Sequence, residues 1–251
     1  MTHATQTGPV PEAIVADDGD ELRFCSTCVF GRVCLPQQVD KTKLHELHCL
    51  VEHMGPFKPG AHVFRVGDRF NAIYAVRSGT IKTCFYDDTG REQVLGFHLP
   101  GEMIGLNAIH PARYPCDAIA IDAAYVCRFS FPALATLATK MPEVQRELFR
   151  LLSKDIGNAA LLSGDYSADE RLAAFLMGLS ARFAERGRSA TSFRLAMSRG
   201  DIANYLRLAA ETVSRVLRRF QDQGLIAVEG RDVTLGQPAQ LELIARNLLH
   251  R

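Results

Sequence analysis

Three cysteines near the amino terminus have the spacing of a metal-binding site. Cys25, Cys28 and Cys34 lie within ten residues, in the run CSTCVFGRVC. Thiolates at this spacing can bind one metal centre, and a four-ligand centre needs a further donor from elsewhere in the chain. The cysteines from which that donor must come are Cys49, Cys84, Cys116 and Cys127. From the residues alone, tetrahedral zinc and an iron–sulfur cluster are both possible.

A second group of polar side chains lies near the carboxyl terminus, on a segment with the pattern of an amphipathic helix. Its apolar face would consist of Val213, Val216, Leu217 and Phe220. Glu211, Ser214 and Arg215 occupy another face, at i, i+3 and i+4. Arginine can donate two hydrogen bonds to guanine, glutamate can accept from cytosine, and serine can serve several base edges. Arg218 and Arg219 follow one turn on and would reach phosphates. This pattern predicts a helix that reads a DNA major groove, and the alternative is a solvated helix with an ordinary Glu–Arg pair.

Length and composition allow one large domain or two small ones. The 251 residues are 47% hydrophobic and 23% charged, which is typical of a packed protein. No stretch approaches the roughly 20 apolar residues of a membrane span, and residues 1–20 lack a signal-peptide pattern, so a cytoplasmic location is expected.

Seven cysteines in a reducing compartment favour metal or redox chemistry over disulfides. None of the glycine-rich, nucleophile-elbow or His-Glu-x-x-His motifs of common enzyme classes occurs, so we expect no catalysis.

The periodicity of apolar residues changes several times along the chain. Residues 1–22 are polar and predict a mobile arm, and residues 40–54 have helical spacing after a possible cap at Asp40. The helical stripe there consists of Leu44, Leu47, Leu50 and Val51. Short β-prone runs separated by turn residues then predict a sandwich, barrel or jelly roll. These runs are His62–Arg65, Ala72–Arg77, Thr80–Tyr86, Gln93–His98 and Ala123–Ser130.

The second half of the chain has helical periodicity. A long helix follows Pro142, with an apolar stripe of Val144, Leu148, Leu151, Leu152, Ile156 and Ala159. This stripe predicts pairing with a second copy of the chain, and the alternative is packing on its own domain. Further helices are predicted over Ala168–Glu185, Arg199–Leu206 and Ala210–Gln223, followed by two apolar strands around Glu229-Gly230. That order is typical of a winged helix-turn-helix.

Several motifs are similar to those of the CRP/FNR transcription regulators, over about Cys25 to Val233. They are IANYL and ETVSRVLRRFQ, together with YAVRSGTIK, QVLGFHL, ERLAAFL and FRLAMSRGDI. The Glu-x-x-Ser-Arg arrangement resembles the FNR branch. The resemblance implies an α+β fold with an amino-terminal β-roll of the cyclic-nucleotide-binding, jelly-roll type, a long dimerisation helix and a carboxyl-terminal winged helix-turn-helix. It also implies a homodimer that binds TTGAT-N4-ATCAA-like palindromes and contacts RNA polymerase, to activate or repress transcription.

The same resemblance assigns the cysteines. It implies one [4Fe–4S] cluster per subunit on Cys25, Cys28, Cys34 and Cys127, and a response to low oxygen. Cys49 and Cys84 are then expected to be small buried residues. The alternatives are a zinc-stapled regulator, or one switched by thiols or nitric oxide, on the same fold. A helix carrying His45, Cys49 and His53 could also bind a metal, but no recognised motif favours it.

Two segments depart from the family pattern. Arg207 stands in the turn between the two short helices, where the family usually has glycine, so we expect Arg207 to adopt a positive φ and to add a phosphate contact. Where relatives that bind cyclic nucleotides place Arg-Ser/Thr-Ala, this chain has Arg113-Tyr-Pro-Cys, and Pro115 removes a backbone donor. We therefore expect no cyclic nucleotide to bind, although Gly101-Glu102 resembles the start of that site.

The predicted organisation has four parts. Residues 1–22 form the arm, residues 23–140 the iron–sulfur-bearing β-roll, residues 141–164 the dimerisation helix and residues 165–251 the DNA-binding domain. Polymerase contacts are expected at the loop Asp87–Gly90 and at the turn around Ser78.

Overall fold

A computed structural model describes residues 51–161 and 164–249. The predicted arm, the stripe residues Leu44, Leu47 and Leu50, the residue His45, and the cysteines Cys25, Cys28, Cys34 and Cys49 lie outside the described residues. The first eight strands are β1 (Val51–Phe57), β2 (His62–Phe64), β3 (Ala72–Ser78), β4 (Ile81–Tyr86), β5 (Glu92–His98), β6 (Met103–Ile104), β7 (Asp117–Ala120) and β8 (Ala124–Ser130). None of the described helices is long and apolar enough to cross a bilayer.

These strands form a β-roll of two antiparallel four-stranded sheets. One sheet has the order β1-β8-β3-β6 and the other β2-β7-β4-β5. All five β-prone runs of the sequence contain a strand, which confirms the all-β prediction for this part of the chain. Between the sheets the rings of Phe64 and Tyr114 stack with centroids 4.0 Å apart, and the Tyr114 hydroxyl donates to the Ala72 carbonyl oxygen at 2.6 Å. Aromatic side chains therefore fill this part of the β-roll interior.

The prediction of a helix over residues 40–54 is wrong for its last four residues. Val51 to Met54 belong to β1, which pairs with β8 in the register Val51↔Phe129 and His53↔Cys127. Hydrogen bonding to the exposed edge of β8 outweighs the local helical spacing, as tertiary context often does for short segments. His53 therefore lies on a strand, and the prediction that it shares a helix with His45 and Cys49 is wrong for His53.

Two helices pack against the β1-β8-β3-β6 sheet. Helix α1 (Phe131–Lys140), which the sequence analysis missed, starts with Pro132 in its first turn, where proline is tolerated. Helix α2 (Pro142–Leu161) follows, as predicted. Together with the sheet they bury an apolar group that we call the helix-side core: Ile73, Ala75, Met103, Leu106, Cys127, Phe129, Leu134, Leu137, Met141, Val144 and Leu151.

This core uses part of the α2 stripe. Val144 and Leu151 are 0% and 7% exposed, so for these two residues the alternative, packing on the chain's own domain, is correct. Leu148 and Leu152 are half-buried and pack against the same core. The side chains of Ile156 and Ala159 lie outside the described part. Phe149, which was not predicted to matter, is 60% exposed on the same helix.

The carboxyl-terminal elements form a winged helix-turn-helix. They are α3 (Ala168–Ala184), β9 (Ser192–Arg194), α4 (Arg199–Leu206), α5 (Ala210–Asp222), β10 (Ile226–Glu229), β11 (Asp232–Leu235) and α6 (Pro238–Leu249). The strands form a sheet of order β10-β11-β9. Capping boxes start α3 at Ser167 with Glu170 and α4 at Ser198 with Asp201. The three predicted helices and the hairpin are confirmed, whereas β9 and α6 were missed.

One apolar core joins the β-roll to the helix-turn-helix. Val94, Phe97 and Leu99 of the β-roll belong to the same buried cluster as the interior of α3, α4 and α5. The Phe97 ring lies 5.4 Å from that of Tyr205 and 6.2 Å from that of Phe175, centroid to centroid. The two parts of the chain therefore bury apolar surface against each other.

A half-buried histidine near this junction makes stability depend on pH. Burial lowers the pKa of His98 from 6.5 to about 4, and its Nε2 lies 3.0 Å from Thr83 Oγ1. Because the folded-state pKa lies below the unfolded value, neutral His98 stabilises the fold above pH 6.5, and this contribution is lost as the pH falls through 4. We expect the free energy of unfolding to fall between pH 6.5 and 4 by up to about 3 kcal/mol more in the wild type than in His98→Gln. Urea denaturation at several pH values measures the free energy of unfolding. If that free energy changed equally with pH in the two proteins, the prediction would be wrong.

Candidate nucleic-acid interface and cysteine site

Helix α5 is fixed to its domain by one apolar face. That face consists of Val213, Val216, Leu217 and Phe220, which are 0–4% exposed. The helix follows α4 after a turn of three residues, 207–209, and Ala209 is its N-cap. An apolar anchor on one side leaves the opposite side free to contact a ligand.

The side chains predicted to read DNA lie together on the exposed side of α5. Glu211 and Arg215 have side chains that are 81% and 68% exposed, and their charged groups are 4.0 Å apart. The Ser214 hydroxyl donates to the carbonyl oxygen of Ala210 at 3.0 Å, and Arg215 also lies 3.4 Å from the hydroxyl of Thr212. Such long and exposed pairings are weak, so these groups can exchange them for base edges at little cost.

Arg207 has the left-handed conformation that the sequence predicted, with φ 57° and ψ 44°. Its backbone N–H ends α4 by donating to the carbonyl oxygens of Ala203 and Asn204. The side chain is exposed at the start of the turn into α5. A non-glycine residue is strained in this conformation, so the position keeps an arginine at a cost in stability.

The two other predicted arginines differ in their surroundings. Arg218 is exposed on α5. Arg219 forms an ion pair with Asp169 at the start of α3, so its guanidinium links two helices of the domain.

Arg199 was not singled out from the sequence, yet its Nη1 is buried without a hydrogen-bond partner in the described part of the chain. Arg199 is the first residue of α4, and its Nη2 lies 3.5 Å from the carbonyl oxygen of Gly230 in the β10–β11 turn. The N-cap residue Ser198, which directly precedes it, is the sequence feature that could have indicated this position.

Cys127 is the one predicted cluster ligand within the described residues. It is 2% exposed on β8, and its Sγ lies 3.6 Å from Nδ1 of His53 on β1. Val51, where the description begins, pairs with Phe129, two residues along β8 from Cys127. Since Cys34 precedes Val51 by 17 positions (51 − 34), the chain that carries the other three cysteines enters the fold beside Cys127. The position of Cys127 therefore fits a fourth ligand.

The remaining described cysteines are in different environments. Burial raises the pKa of the Cys84 thiol to about 12, and it also raises the pKa of Cys116. Both are at most 1% exposed, so Cys84 is the small buried residue that the sequence predicted. Residues 51–161 and 164–249 contain no group of three histidine, cysteine or acidic side chains close enough to hold a metal ion. A metal centre at Cys127 would therefore need ligands from outside the described residues.

The segment that resembles a cyclic-nucleotide site has a different arrangement here. Arg113 is exposed and donates to the Gly67 carbonyl oxygen at 2.8 Å. Tyr114 next to it fills the β-roll interior, while the Glu102 carboxylate accepts hydrogen bonds from Arg182 and Arg186 of α3. The charged groups of this segment are thus engaged with protein partners.

A β-roll, a long helix and a winged helix-turn-helix with an exposed Glu-x-x-Ser-Arg face together indicate a DNA-binding transcription regulator. Family models agree with this class: the Crp-like helix-turn-helix domain matches residues 170–244, and the cyclic nucleotide-binding domain matches residues 55–140. Among solved structures, FixK2 from Bradyrhizobium japonicum is similar, with a TM-score of 0.69 and 28% identity over 79% of this chain and 96% of that chain.

Curated relatives define the family more closely. The transcriptional activator protein Anr of Pseudomonas protegens is 44% identical over 88% of this chain and 92% of its own length. The anaerobic regulatory protein of Haemophilus influenzae is 42% identical over 84% and 83%, and the fumarate and nitrate reduction regulatory protein of Salmonella typhi is 40% identical over 88% and 90%. The chain therefore belongs to the FNR branch of the CRP/FNR family of transcription regulators, and it is not an enzyme.

Two substitutions of Arg207 separate the effect of its strained backbone on stability from the effect of its charge on DNA binding. Arg207→Gly should raise the free energy of unfolding by about 1 kcal/mol, because glycine adopts a positive φ without strain. Arg207→Ala removes the same charge but keeps the strain, so its stability should not rise. If Arg207 contacts one phosphate, the affinity of both variants for DNA should depend less steeply on salt, and the magnitude of the slope of log K against log salt should fall by about 1. Chemical denaturation and binding titrations measure the two effects, and an unchanged salt slope would refute the phosphate contact.

Proposed function

We propose that this protein is an oxygen-responsive transcription regulator that binds palindromic DNA as a homodimer. The observation that carries the proposal is the exposed set Glu211, Ser214 and Arg215 on a helix held by a fully buried face. Its relatives include an anaerobic regulatory protein and transcriptional activators, which supports an anaerobic response. The protein would act in the cytoplasm, where its DNA is found.

The DNA site follows from the chemistry of the reading face. Arg215 would donate to a guanine, Glu211 would accept from a cytosine, and Ser214 would contact a neighbouring base edge. Arg207, Arg218 and Arg219 would bind phosphates and set the position of the helix, although Arg219 would first have to leave Asp169 or share it. Two such helices, about 34 Å apart in a dimer, would bind TTGAT-N4-ATCAA-like half-sites one turn apart.

Dimerisation would use the apolar surface of α2 that the chain's own core leaves accessible. Leu148 and Leu152 are half-buried, which leaves part of each side chain accessible, and the predicted partners Ile156 and Ala159 continue along the same helix. Phe149 adds 60% of its surface to the accessible apolar area of α2. An apolar helix surface of this kind favours pairing with its copy.

The sensor would be one [4Fe–4S] cluster per subunit, held by Cys25, Cys28, Cys34 and Cys127. Such a cluster supplies a redox-active and oxygen-labile centre. Cys127 belongs to the helix-side core together with Val144 and Leu151 of α2, so a restraint on Cys127 can reach the base of the dimerisation helix by direct packing. Release of Cys127 in air would then weaken pairing of α2. A coupling of about 1–3 kcal/mol would change operator occupancy several-fold.

Other ligands and partners follow the same reasoning. We propose that no cyclic nucleotide binds, because Tyr114 and Phe64 stack in the β-roll interior and Arg113 is exposed. RNA polymerase would contact the hairpin tip Asp87–Gly90 and the turn at Ser78. Asp87 accepts hydrogen bonds from Thr89 and Arg91 in that tip, which gives the loop a defined shape.

Metal analysis of protein purified without oxygen tests the sensor. Wild type should be coloured and contain about four iron atoms and about four sulfides per chain, and air should remove the colour together with dimerisation and tight operator binding. Cys127→Ser should lack the cluster and bind only weakly in the absence of oxygen. Cys116→Ala, also at a buried cysteine, is the matched control and should keep the cluster.

The alternatives give different results in the same experiment. One zinc per chain would support the zinc-stapled regulator. Colourless, iron-poor protein that binds palindromes tightly in air and without oxygen alike would refute the oxygen sensor.

Base substitutions in the operator test the reading face. Arg215→Ala should cost about 1–3 kcal/mol of binding free energy and should relax the preference at one base pair in each half-site. Arg218→Ala should weaken binding to all sequences about equally and should reduce the salt slope by about 1. Affinities measured on a set of singly substituted operators distinguish the two. Equal discrimination by Arg215→Ala and wild type would exclude Arg215 as a base-reading residue.

A further inference from the structure

The edge strand of one β-roll sheet is bound by a side chain of the DNA-binding domain. Strand β5 is the last strand of the sheet β2-β7-β4-β5, so one of its edges has no strand partner within that sheet. The Asn204 side chain of α4 occupies this edge. Its Oδ1 accepts from the Val94 N–H at 2.8 Å, and its Nδ2 donates to the Glu92 carbonyl oxygen at 2.7 Å. The amide thus forms the same pair of hydrogen bonds that a neighbouring strand would form.

A lysine forms a second link between the same two elements. The Lys82 Nζ of β4 lies 2.8 Å from a carboxylate oxygen of Glu92 and 2.8 Å from one of Asp201 on α4. Its side chain is only 14% exposed. Burial alone would lower the pKa of Lys82, but the hydrogen bonds to Asp201 and Glu92 outweigh it, so the pKa is raised and the ammonium stays charged. The other oxygen of Asp201 accepts from Ser198 and starts α4, so the ion pair is joined to the start of that helix.

A third link lies beneath these two. Arg182 of α3 donates to both oxygens of Glu102, at 2.8 and 2.5 Å, and to the Phe97 carbonyl oxygen at 2.5 Å. Arg186 donates to Glu102 at 2.9 Å and to the Pro100 carbonyl oxygen. Although burial opposes ionisation, the two arginines lower the pKa of Glu102 to about 2. The β-roll therefore contacts both α3 and α4, and apolar packing at Phe97 fills the space between them.

These contacts lie away from the DNA-reading side chains but determine where those side chains are. Both polar groups of the Asn204 amide are hydrogen-bonded to β5, which leaves one N–H and one lone pair of the amide unused by that strand. Helix α4 passes directly through the Arg207 turn into α5. A displacement of α4 relative to β5 would therefore displace Glu211 and Arg215 as well.

We infer that Asn204 and the Lys82–Asp201 pair are positioning residues that hold the helix-turn-helix on β5, so that the β-roll and the DNA-binding domain of one protomer move as a single rigid body. A signal from the β-roll then reaches DNA by displacement of whole protomers about α2, and not by rotation of the reading domain on its own β-roll. This inference rests on the proposed function for the nature of the signal, but not for the rigidity itself.

Distances between spin labels test the rigid body in the full-length protein. Labels on unnatural amino acids at Lys58 of the β-roll and Leu243 of α6, both exposed, leave the native cysteines untouched. Labelled protein diluted with unlabelled protein reports the distance within one protomer. We expect one narrow distance distribution that is the same without oxygen, in air and with operator DNA. A shift of more than about 2 Å in any of these conditions would overturn the inference.

Variants separate positioning from folding. Lys82→Met/Asn204→Ala keeps the Asp201 cap of α4 and should broaden the distance distribution. The same variant should bind a full palindrome at least tenfold more weakly and discriminate less between half-site spacings, while its affinity for a single half-site is unchanged. Arg91→Ala is the control. Among the described residues, the Arg91 side chain pairs with Asp87 of its own hairpin, at 3.4 Å, so this variant should match wild type in every measurement.

The outcomes distinguish the inference from the proposed function. If the double variant keeps a narrow distribution and wild-type spacing preference, Asn204 and Lys82 do not position the reading domain. If the double variant loses half-site binding or its folded circular-dichroism signal, the single variant Lys82→Met is measured instead. A distance distribution and a spacing preference equal to those of wild type would then refute the role of the ion pair. A wild-type protein without cluster or oxygen response would refute the proposed function, yet its label distances would still decide whether the domains move together.

Discussion

The structure depends on an apolar junction between β5 and the helices of the DNA-binding domain. An uncovered edge strand exposes unpaired backbone groups, and proteins commonly cover such edges. Here the cover is α4, through the Asn204 amide, with Val94 and Phe97 buried beside it. A buried polar pair such as Lys82–Asp201 adds little net stability by itself, but it favours one relative placement of the two surfaces over others. The apolar contacts thus supply most of the stability of the junction, and the polar contacts fix its geometry.

Local patterns were sufficient for most of the fold. Short β-prone runs separated by turn residues identified β2, β3, β4, β5 and β8, and helical periodicity identified α3 and α4. The missed strands are short or atypical: β7 has the sequence DAIA, with alanine at two of four positions, and β6 has only two residues. Helix α1, which was not predicted, has Pro132 in its first turn, where proline is favoured. The wrong helix at Val51 arose because pairing with β8 is not visible in local spacing.

The site was predictable where one helix determines it and unpredictable where distant segments meet. The separate faces of α5 follow from helical geometry, and the positive φ of Arg207 follows from the family's usual glycine at that turn. The pairing of Arg219 with Asp169 spans 50 residues, and that of Arg182 with Glu102 spans 80. Neither partner carries a local signal that would set it apart from other surface charges. The contacts of α4 with β5 could not be predicted for the same reason, because Asn204 and Val94 are 110 residues apart in the sequence.

The α2 stripe shows why a periodic pattern can serve two purposes at once. Val144 and Leu151 are buried in the helix-side core, whereas Leu148 and Leu152 are only half-buried at its margin. Protein cores are close-packed, so a change at one member is transmitted to its neighbours. Because Cys127 is in this core, a ligand bond at its sulfur would alter the packing against which Leu148 and Leu152 rest. If each protomer is also rigid across β5, that small change at the base of α2 would be amplified into a displacement of the reading helices, since α5 lies at the far end of the same body.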